Sequence, residues 1–270
     1  MLTKITKMEI RRAFFRRQAL VAFLIMSAFF IQGFEAYRPG PLVPVTANHN
    51  FYFAFLYAHG NGASGLLPLV FALIVSLAAG DSLAWDKKSG FIQYVLMRTS
   101  YKTYIVGKMV SASVVSFVFV FISELFCFVL AAIQFPNISD INKIHSSFIP
   151  KYAGSLFIDH PFLYILLIIF NSALSAVFIS MVSVFVSTTV KNIYIVVATP
   201  WLLFIVLHFV LYSINLTRYA PLDLVGAYIL NHFSYRTLEI PFIWIVLSIV
   251  FYTLTYFFFA RNFKARVYNG

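Results

Sequence analysis

Residues 81–108, DSLAWDKKSGFIQYVLMRTSYKTYIVGK, form a polar and positively charged stretch between two long apolar segments. The first apolar segment begins near residue 65 and leads into this stretch. The second follows the stretch and ends near residue 133. A helix needs about 20 apolar residues to cross a bilayer. The stretch therefore predicts a polar loop between two membrane spans, and the rest of the chain is arranged around it.

The composition places the whole chain in a membrane. Hydrophobic residues make up 61% of the 270 residues and charged residues 11%, whereas soluble domains have about 45–50% and about 25%. The apolar runs are continuous, without the alternation of barrel strands, so we expect helices rather than a β-barrel. The predicted fold class is an all-α integral membrane protein, with residues 1–270 forming a single transmembrane domain.

The hydropathy pattern predicts six transmembrane helices. Each is long enough to cross a hydrocarbon core of about 30 Å. They are expected at about residues 18–34, 65–84, 104–133, 161–188, 193–214 and 241–260.

The basic residues predict the orientation. Of the 20 Lys and Arg residues, six lie before residue 18, five in 81–108, one at Lys191 and three after residue 260; the other five lie on the opposite side. The positive-inside rule then puts both termini and the 81–108 loop in the cytoplasm. We expect a multi-pass protein of the plasma membrane.

Short helices are expected outside the spans. The basic segment 1–17 is predicted to be an interfacial helix on the inner leaflet, opened by a Thr6-x-x-Glu9 capping box; the alternative is an ordinary basic flank of the first span. In the outer loops, the aromatic run 51–57 and residues 222–233 predict short non-spanning helices.

Several chemistries find no support in the sequence. No phosphate-binding P-loop is present, so any ATP and Mg²⁺ would be bound by a separate chain. The single cysteine, Cys127, excludes a disulfide framework and a cysteine metal site. Five of the six histidines, among them His59, fall in outer loops and are expected to be solvated. We expect no catalytic residue, no cofactor, no metal and no nucleic-acid partner.

The 81–108 loop resembles the cytoplasmic loop of ABC-2 type permeases, the membrane subunits of many bacterial ABC exporters. That family shows acidic residues after the second span, a glycine, a short amphipathic helix, a Thr/Ser turn and a Gly-Lys pair. Here the glycine is Gly90, the helix is expected at 91–97, and Gly107-Lys108 closes the loop. A lysine pair where the family often has Glu or Arg, and a turn without proline, are departures from the pattern.

The resemblance implies that the short helix is a coupling helix docked on an ATPase subunit, with apolar side chains in a groove and charges orienting it. A plain charged loop without a partner is the alternative. The residues implied are Asp81, Asp86, Lys87, Lys88, Gly90, Phe91, Tyr94, Val95 and Arg98.

Three polar residues fall inside predicted spans at similar depth, namely Glu124, Asn171 and His208. A carboxyl group inside a membrane is a functional candidate by default. We expect Glu124 to hydrogen-bond His208 or Asn171. Such a contact would serve cargo binding or gating, or would only join the helices; the remaining alternative is that these side chains do not meet.

The resemblance implies the permease subunit of an ATP-driven exporter that works by alternating access. Its partners would be a cytoplasmic ABC ATPase, a second permease of the same or a related chain, and the lipid bilayer. The 32 phenylalanines favour amphipathic or hydrophobic cargo, with peptides preferred by analogy. The alternatives are a membrane protein for toxin-peptide immunity or sensing without transport, and a lipid-modifying membrane enzyme.

Overall fold

The computed structural model describes residues 2–39, 49–80, 82–137, 149–225 and 235–268. Within these ranges the regular elements are helical. The α-helices are α1 (Leu2–Phe14), α2 (Arg17–Tyr37), α3 (Phe51–Val75), α4 (Ser82–Lys88), α5 (Phe91–Leu96), α6 (Tyr101–Gln134), α7 (Gly154–Asp159), α8 (Pro161–Ser187), α9 (Ile193–Ser213), α10 (Pro221–Val225) and α11 (Glu239–Tyr268). A π-helical turn, Ser76–Gly80, continues α3, and a 3₁₀ turn spans Thr217–Tyr219.

Five helices are long and apolar enough to cross a membrane: α2, α6, α8, α9 and residues 239–261 of α11. They coincide with the first, third, fourth, fifth and sixth expected spans. The expectation of six spans is met only if α3, which is bent, counts as one span together with its π-helical turn.

The second expected span, 65–84, differs most from the structure. The helix begins at Phe51 and bends by 78° between Ala63 and Gly65. Both residues have positive φ, a conformation that glycine adopts freely and alanine at a cost of roughly 1–2 kcal/mol. Pro68 supports the bend because it has no N–H to donate to the carbonyl of residue 64. The aromatic run 51–57 is thus the first turns of a broken helix rather than a separate interfacial helix.

Helix α8 lies at the centre of the bundle, packed against α3, α6, α9 and α11. Small side chains allow this, since Ser and Gly let membrane helices approach closely. The hydroxyls of Ser116 on α6 and Ser180 on α8 are 3.0 Å apart. Ser183 on α8 donates to Ser76 in the π-helical turn at 3.2 Å. The core at the bundle centre therefore consists of apolar side chains joined by short hydroxyl pairs.

The N-terminal helix exists but starts earlier than the sequence suggested. Because α1 begins at Leu2, Thr6 lies inside it and the predicted capping box is wrong. Its contacts are mainly with α6, and Glu9 is buried there. Of the helix expected at 222–233, α10 covers the start, and residues 226–233 lie outside the described residues.

Candidate functional site

The helices α1, α4 and α5 come together at one end of the bundle, here called the basic end, around the start of α6. Most of the coupling residues predicted from the sequence lie there. Asp81 is outside the described residues. Asp86 is described, and its side chain is fully buried. It therefore faces the protein interior in this chain, and its expected part in orienting an ATPase partner stays a prediction.

A group of charged side chains and one tyrosine, the ion-pair cluster, joins the helices at this end, and all of its members except the half-buried Arg12 are buried. Its members are Glu9, Arg12, Asp86, Tyr104 and Lys108. The Lys108 amine donates to the Glu9 carboxylate at 2.5 Å and lies 2.6 Å from an Asp86 oxygen. The Tyr104 hydroxyl donates to the same Asp86 oxygen at 2.7 Å. Buried charges persist when they are paired and hydrogen-bonded, and these contacts satisfy that condition.

Arg12 completes the cluster from α1. Its guanidinium donates to Asp86 and to Glu9, each at 3.2 Å, so the cluster contains two cations and two anions. Burial works to lower the pKa of Arg12, but the two carboxylates outweigh it and raise the pKa. The same guanidinium lies 5.0 Å from the centre of the Phe91 ring on α5. One side chain thus joins α1 to α4 and to α5.

The two lysines that follow Asp86 have different surroundings. Lys87 donates to the carbonyl oxygens of Ser187 and Thr188 at 2.5 and 2.6 Å. These carbonyls end α8, where a cation is favoured. Lys88 is exposed, and its amine lies 5.7 Å from the Trp85 ring. Lys87 therefore fixes α4 to α8, whereas Lys88 remains at the surface.

The short helix α5 is amphipathic, but its faces differ from the prediction. Gly90 precedes it with φ of 74°, a left-handed conformation that suits glycine. Val95 packs against the chain's own core beside α6, so it does not face outward with Tyr94 as expected. Tyr94 is 66% exposed and Met97, just after the helix, is 74% exposed; Arg98 is exposed as well. The outward face is aromatic and aliphatic with a basic residue beside it.

A second polar group lies inside the bundle around Glu124. This side chain on α6 is fully buried. The His59 ring nitrogen Nε2 lies 3.2 Å from Glu124 Oε1 and 2.9 Å from the Ser172 hydroxyl. Among the described residues, no hydrogen-bond partner lies at the second carboxyl oxygen of Glu124. His59 comes from α3, Glu124 from α6 and Ser172 from α8. This polar group therefore connects the bent helix α3 to both α6 and α8.

His59 corrects two expectations. It is 3% exposed and not a solvated loop residue, because the bend in α3 turns the first half of that helix into the bundle. It also takes the place expected for His208 or Asn171 beside Glu124.

The other two intramembrane candidates have different contacts. The Asn171 amide donates to the Tyr152 hydroxyl at 3.0 Å. Burial raises the pKa of Tyr152 to about 12, so the phenol keeps its proton and donates to the Thr237 carbonyl at 2.7 Å. The His208 ring lies against the Tyr212 ring, with centres 4.5 Å apart and planes tilted by 40°. The three candidates are therefore not one site.

Sequence reasoning missed Glu9, Arg12 and Tyr104 as site residues, and gave Lys108 only as the end of a motif. One signal was available: Lys108 starts a long apolar segment, and a lysine there needs an anion. The sequence alone does not say which carboxylate supplies it. Across the residues that the structure describes, no group of three or more His, Cys, Asp or Glu residues is placed to hold a metal ion.

Neither protein-family models nor curated proteins give a match to this sequence. The long apolar helices are compatible with a multi-pass membrane protein, and this is the class of protein to which the fold assigns the chain.

Proposed function

We propose that this chain is the membrane-spanning subunit of an ATP-driven exporter of the ABC-2 permease kind. It crosses the plasma membrane six times, with both termini and the basic end in the cytoplasm. A separate ABC ATPase binds ATP and Mg²⁺ and drives the movement. A second permease completes the pore, and the cargo is amphipathic or hydrophobic, with peptides preferred.

The outward face of α5 is the observation that carries this proposal. Tyr94 on this helix of less than two turns and Met97 just after it are large, exposed side chains. Aromatic residues and methionine are enriched in interface cores. Beneath them the ion-pair cluster ties the loop to α1 and α6. Because the loop is fixed to α1 and α6, an ATPase that binds this exposed apolar surface would move the membrane spans rather than only bend the loop.

The distribution of charge supports the cytoplasmic placement of the basic end. Residues 1–17 and the 81–108 loop together hold 11 of the 20 Lys and Arg residues. Lys and Arg residues in short loops and near the ends of membrane spans are enriched on the cytoplasmic side. A cytoplasmic ATPase would meet α5 there.

The experiment places a photo-cross-linking amino acid at position 94 in cells that express the whole chain. We expect a cross-link to an ATPase of the ABC class. The Tyr94→Ala/Met97→Ala double variant should lose that ATPase on purification and lose ATP-dependent movement of labelled peptide in inverted membrane vesicles.

The matched control is Tyr219→Ala/Ile133→Ala. It also removes an exposed aromatic and an exposed aliphatic side chain. Ile133 lies at the far end of α6, and Tyr219 lies beyond the end of α9, so both are away from the basic end. It should retain the ATPase and the transport. Retention of the ATPase by the Tyr94→Ala/Met97→Ala variant, or peptide movement that needs no ATP, would contradict the proposal.

A further inference from the structure

A cleft of about 890 Å³ lies beside the basic end, between the start of α9 and the helices α2, α3 and α4. Its floor is apolar and half-buried, formed by Leu73, Leu77, Val197 and Ala198. Pockets for small ligands have volumes of about 300–1,000 Å³. We call it the Lys88–Lys191 cleft after the two exposed lysines at its mouth.

The mouth of the cleft is positively charged and aromatic. Lys88 and Lys191 stand there with Trp85 and Tyr194. Among the described residues, neither lysine has an ion pair with a carboxylate. Tryptophan and tyrosine are enriched where a membrane meets water. The cleft therefore changes from a cationic, aromatic rim to an apolar floor.

A shallower cavity extends the charged rim. It shares Gln18 and Leu77 with the cleft and is lined also by Arg16 and Arg17. The described residues that line the two cavities include four cations and no carboxylate. A molecule that binds here must carry negative charge at the rim and an apolar part on the floor.

We infer that the Lys88–Lys191 cleft is a binding site for an anionic phospholipid. The phosphate headgroup lies between Lys88 and Lys191, and one acyl chain lies on the floor between α3 and α9. Anionic lipids are attracted to clusters of basic residues at a membrane surface. A lipid is favoured over an acidic protein segment because α9, which supplies Val197 and Ala198, is apolar enough to cross the membrane, and the bent α3 with its π-helical turn, which supplies Leu73 and Leu77, is so as a pair. The inference does not depend on the proposed transport function.

The test compares phosphatidylglycerol with phosphatidylcholine of the same acyl chains, added to the purified full-length chain in detergent. Native mass spectrometry measures the bound lipid. We expect phosphatidylglycerol to bind more tightly. If each lysine contributes about fivefold, the Lys88→Gln/Lys191→Gln variant should bind it about 25-fold more weakly, with little change for phosphatidylcholine.

The matched control is Arg98→Gln/Lys102→Gln, which removes two exposed charges at the same end but outside the cleft. It should bind phosphatidylglycerol as the unaltered chain does. A second variant, Ala198→Trp, fills the floor and keeps both lysines, so it should lose the same binding without a change in charge.

Equal binding of the two lipids by the unaltered chain would overturn the inference. So would an equal loss in the control variant, or full lipid binding by Ala198→Trp. Unchanged lipid binding by Lys88→Gln/Lys191→Gln, together with loss of a co-purifying protein, would also overturn it and assign the cleft to a protein partner.

Discussion

The amine of Lys108 lies 2.6 Å from the Asp86 carboxylate, and both side chains are fully buried. The two residues belong to α6 and α4, which the chain connects only through α5 and its turns. Tyr104, one turn before Lys108, donates to the same carboxylate. This contact joins α4 directly to α6, so a displacement of α4 would also pull on the start of α6.

The first prediction concerns that ion pair. Replacing Lys108 with Met keeps most of the length of the side chain and leaves Arg12 as the cation paired with Glu9 and Asp86 among the described residues. Removing one partner of a buried pair costs roughly 3–5 kcal/mol, so we expect the free energy of unfolding to fall by about 3 kcal/mol. Denaturant titration of the purified chain in detergent micelles measures the change.

The control for this prediction is Lys102→Met, which removes an exposed lysine from the first turn of the same helix. Exposed charges contribute little, so its unfolding free energy should change by less than about 1 kcal/mol. If the two variants are equally stable, the cluster does not hold the basic end together.

The second prediction concerns His59 and Glu124. Hydrogen bonds between membrane helices average about 0.6 kcal/mol and reach about 1.7 kcal/mol. A double-mutant cycle with His59→Phe and Glu124→Gln should give a coupling energy in that range, because the two side chains are in contact at 3.2 Å. The cycle is measured from the unfolding free energies of the two single variants and the double variant.

A cycle between Glu124→Gln and His208→Phe is the comparison. The sequence suggested that pair, but the structure gives Glu124 a different partner, so we expect additive effects. Coupling to His208 that exceeds coupling to His59 would contradict the arrangement of α3. If transport is established for the chain and Glu124→Gln leaves both transport and assembly intact, Glu124 only joins helices.

The sequence was sufficient to predict the long apolar helices, but not which side chains on different helices contact one another. A long apolar run predicts a helix such as α6 or α8 because burial in lipid requires internal backbone hydrogen bonds. The partners of Lys108 are different in kind, since Glu9 is 99 positions away and no local pattern marks it.

His59 shows the same limit for the intramembrane site. It follows an aromatic run after polar residues, which is typical of an outer loop. The 78° bend after Ala63 turns that run into the bundle, and the bend depends on two positive φ angles that the residue types alone do not impose. The position of Glu124 within a span was predictable, whereas the identity of its partner required the bend.

The third prediction concerns Lys87 at the end of α8. Its amine binds the carbonyls of Ser187 and Thr188, where a cation typically contributes 0.3–1 kcal/mol and about 2 kcal/mol when partly buried. Lys87→Met should lower the unfolding free energy by about 1 kcal/mol. It should also speed hydrogen exchange of the amides near residues 187–190.

The Lys88→Met variant is the control, since Lys88 is exposed and its amine lies 5.7 Å from the centre of the Trp85 ring. Exchange in the last turn of α8 should remain as in the unaltered chain. Faster exchange in Lys88→Met than in Lys87→Met would show that the cap is not formed by Lys87.

The fourth prediction concerns the contact of α2 with α3. A Cβ atom on Gly33 would lie 2.6 Å from the Ala58 Cα atom, which is backbone and cannot rotate away. Alanine is the better helix former by about 1 kcal/mol, but overpacking costs typically 1–3 kcal/mol and here requires two helices to separate. We expect Gly33→Ala to lower the unfolding free energy by about 1–2 kcal/mol.

The separation should also be visible at the polar group inside the bundle. Ala58 precedes His59, so moving α3 away from α2 shifts the histidine relative to Glu124. The coupling energy between His59 and Glu124 should therefore decrease in the Gly33→Ala background. Gly154→Ala is the control, because its Cβ would meet only the Ile149 side chain at 3.4 Å, an ordinary contact. A Gly33→Ala variant as stable as Gly154→Ala, with the coupling unchanged, would show that α2 and α3 are not in close contact at this position.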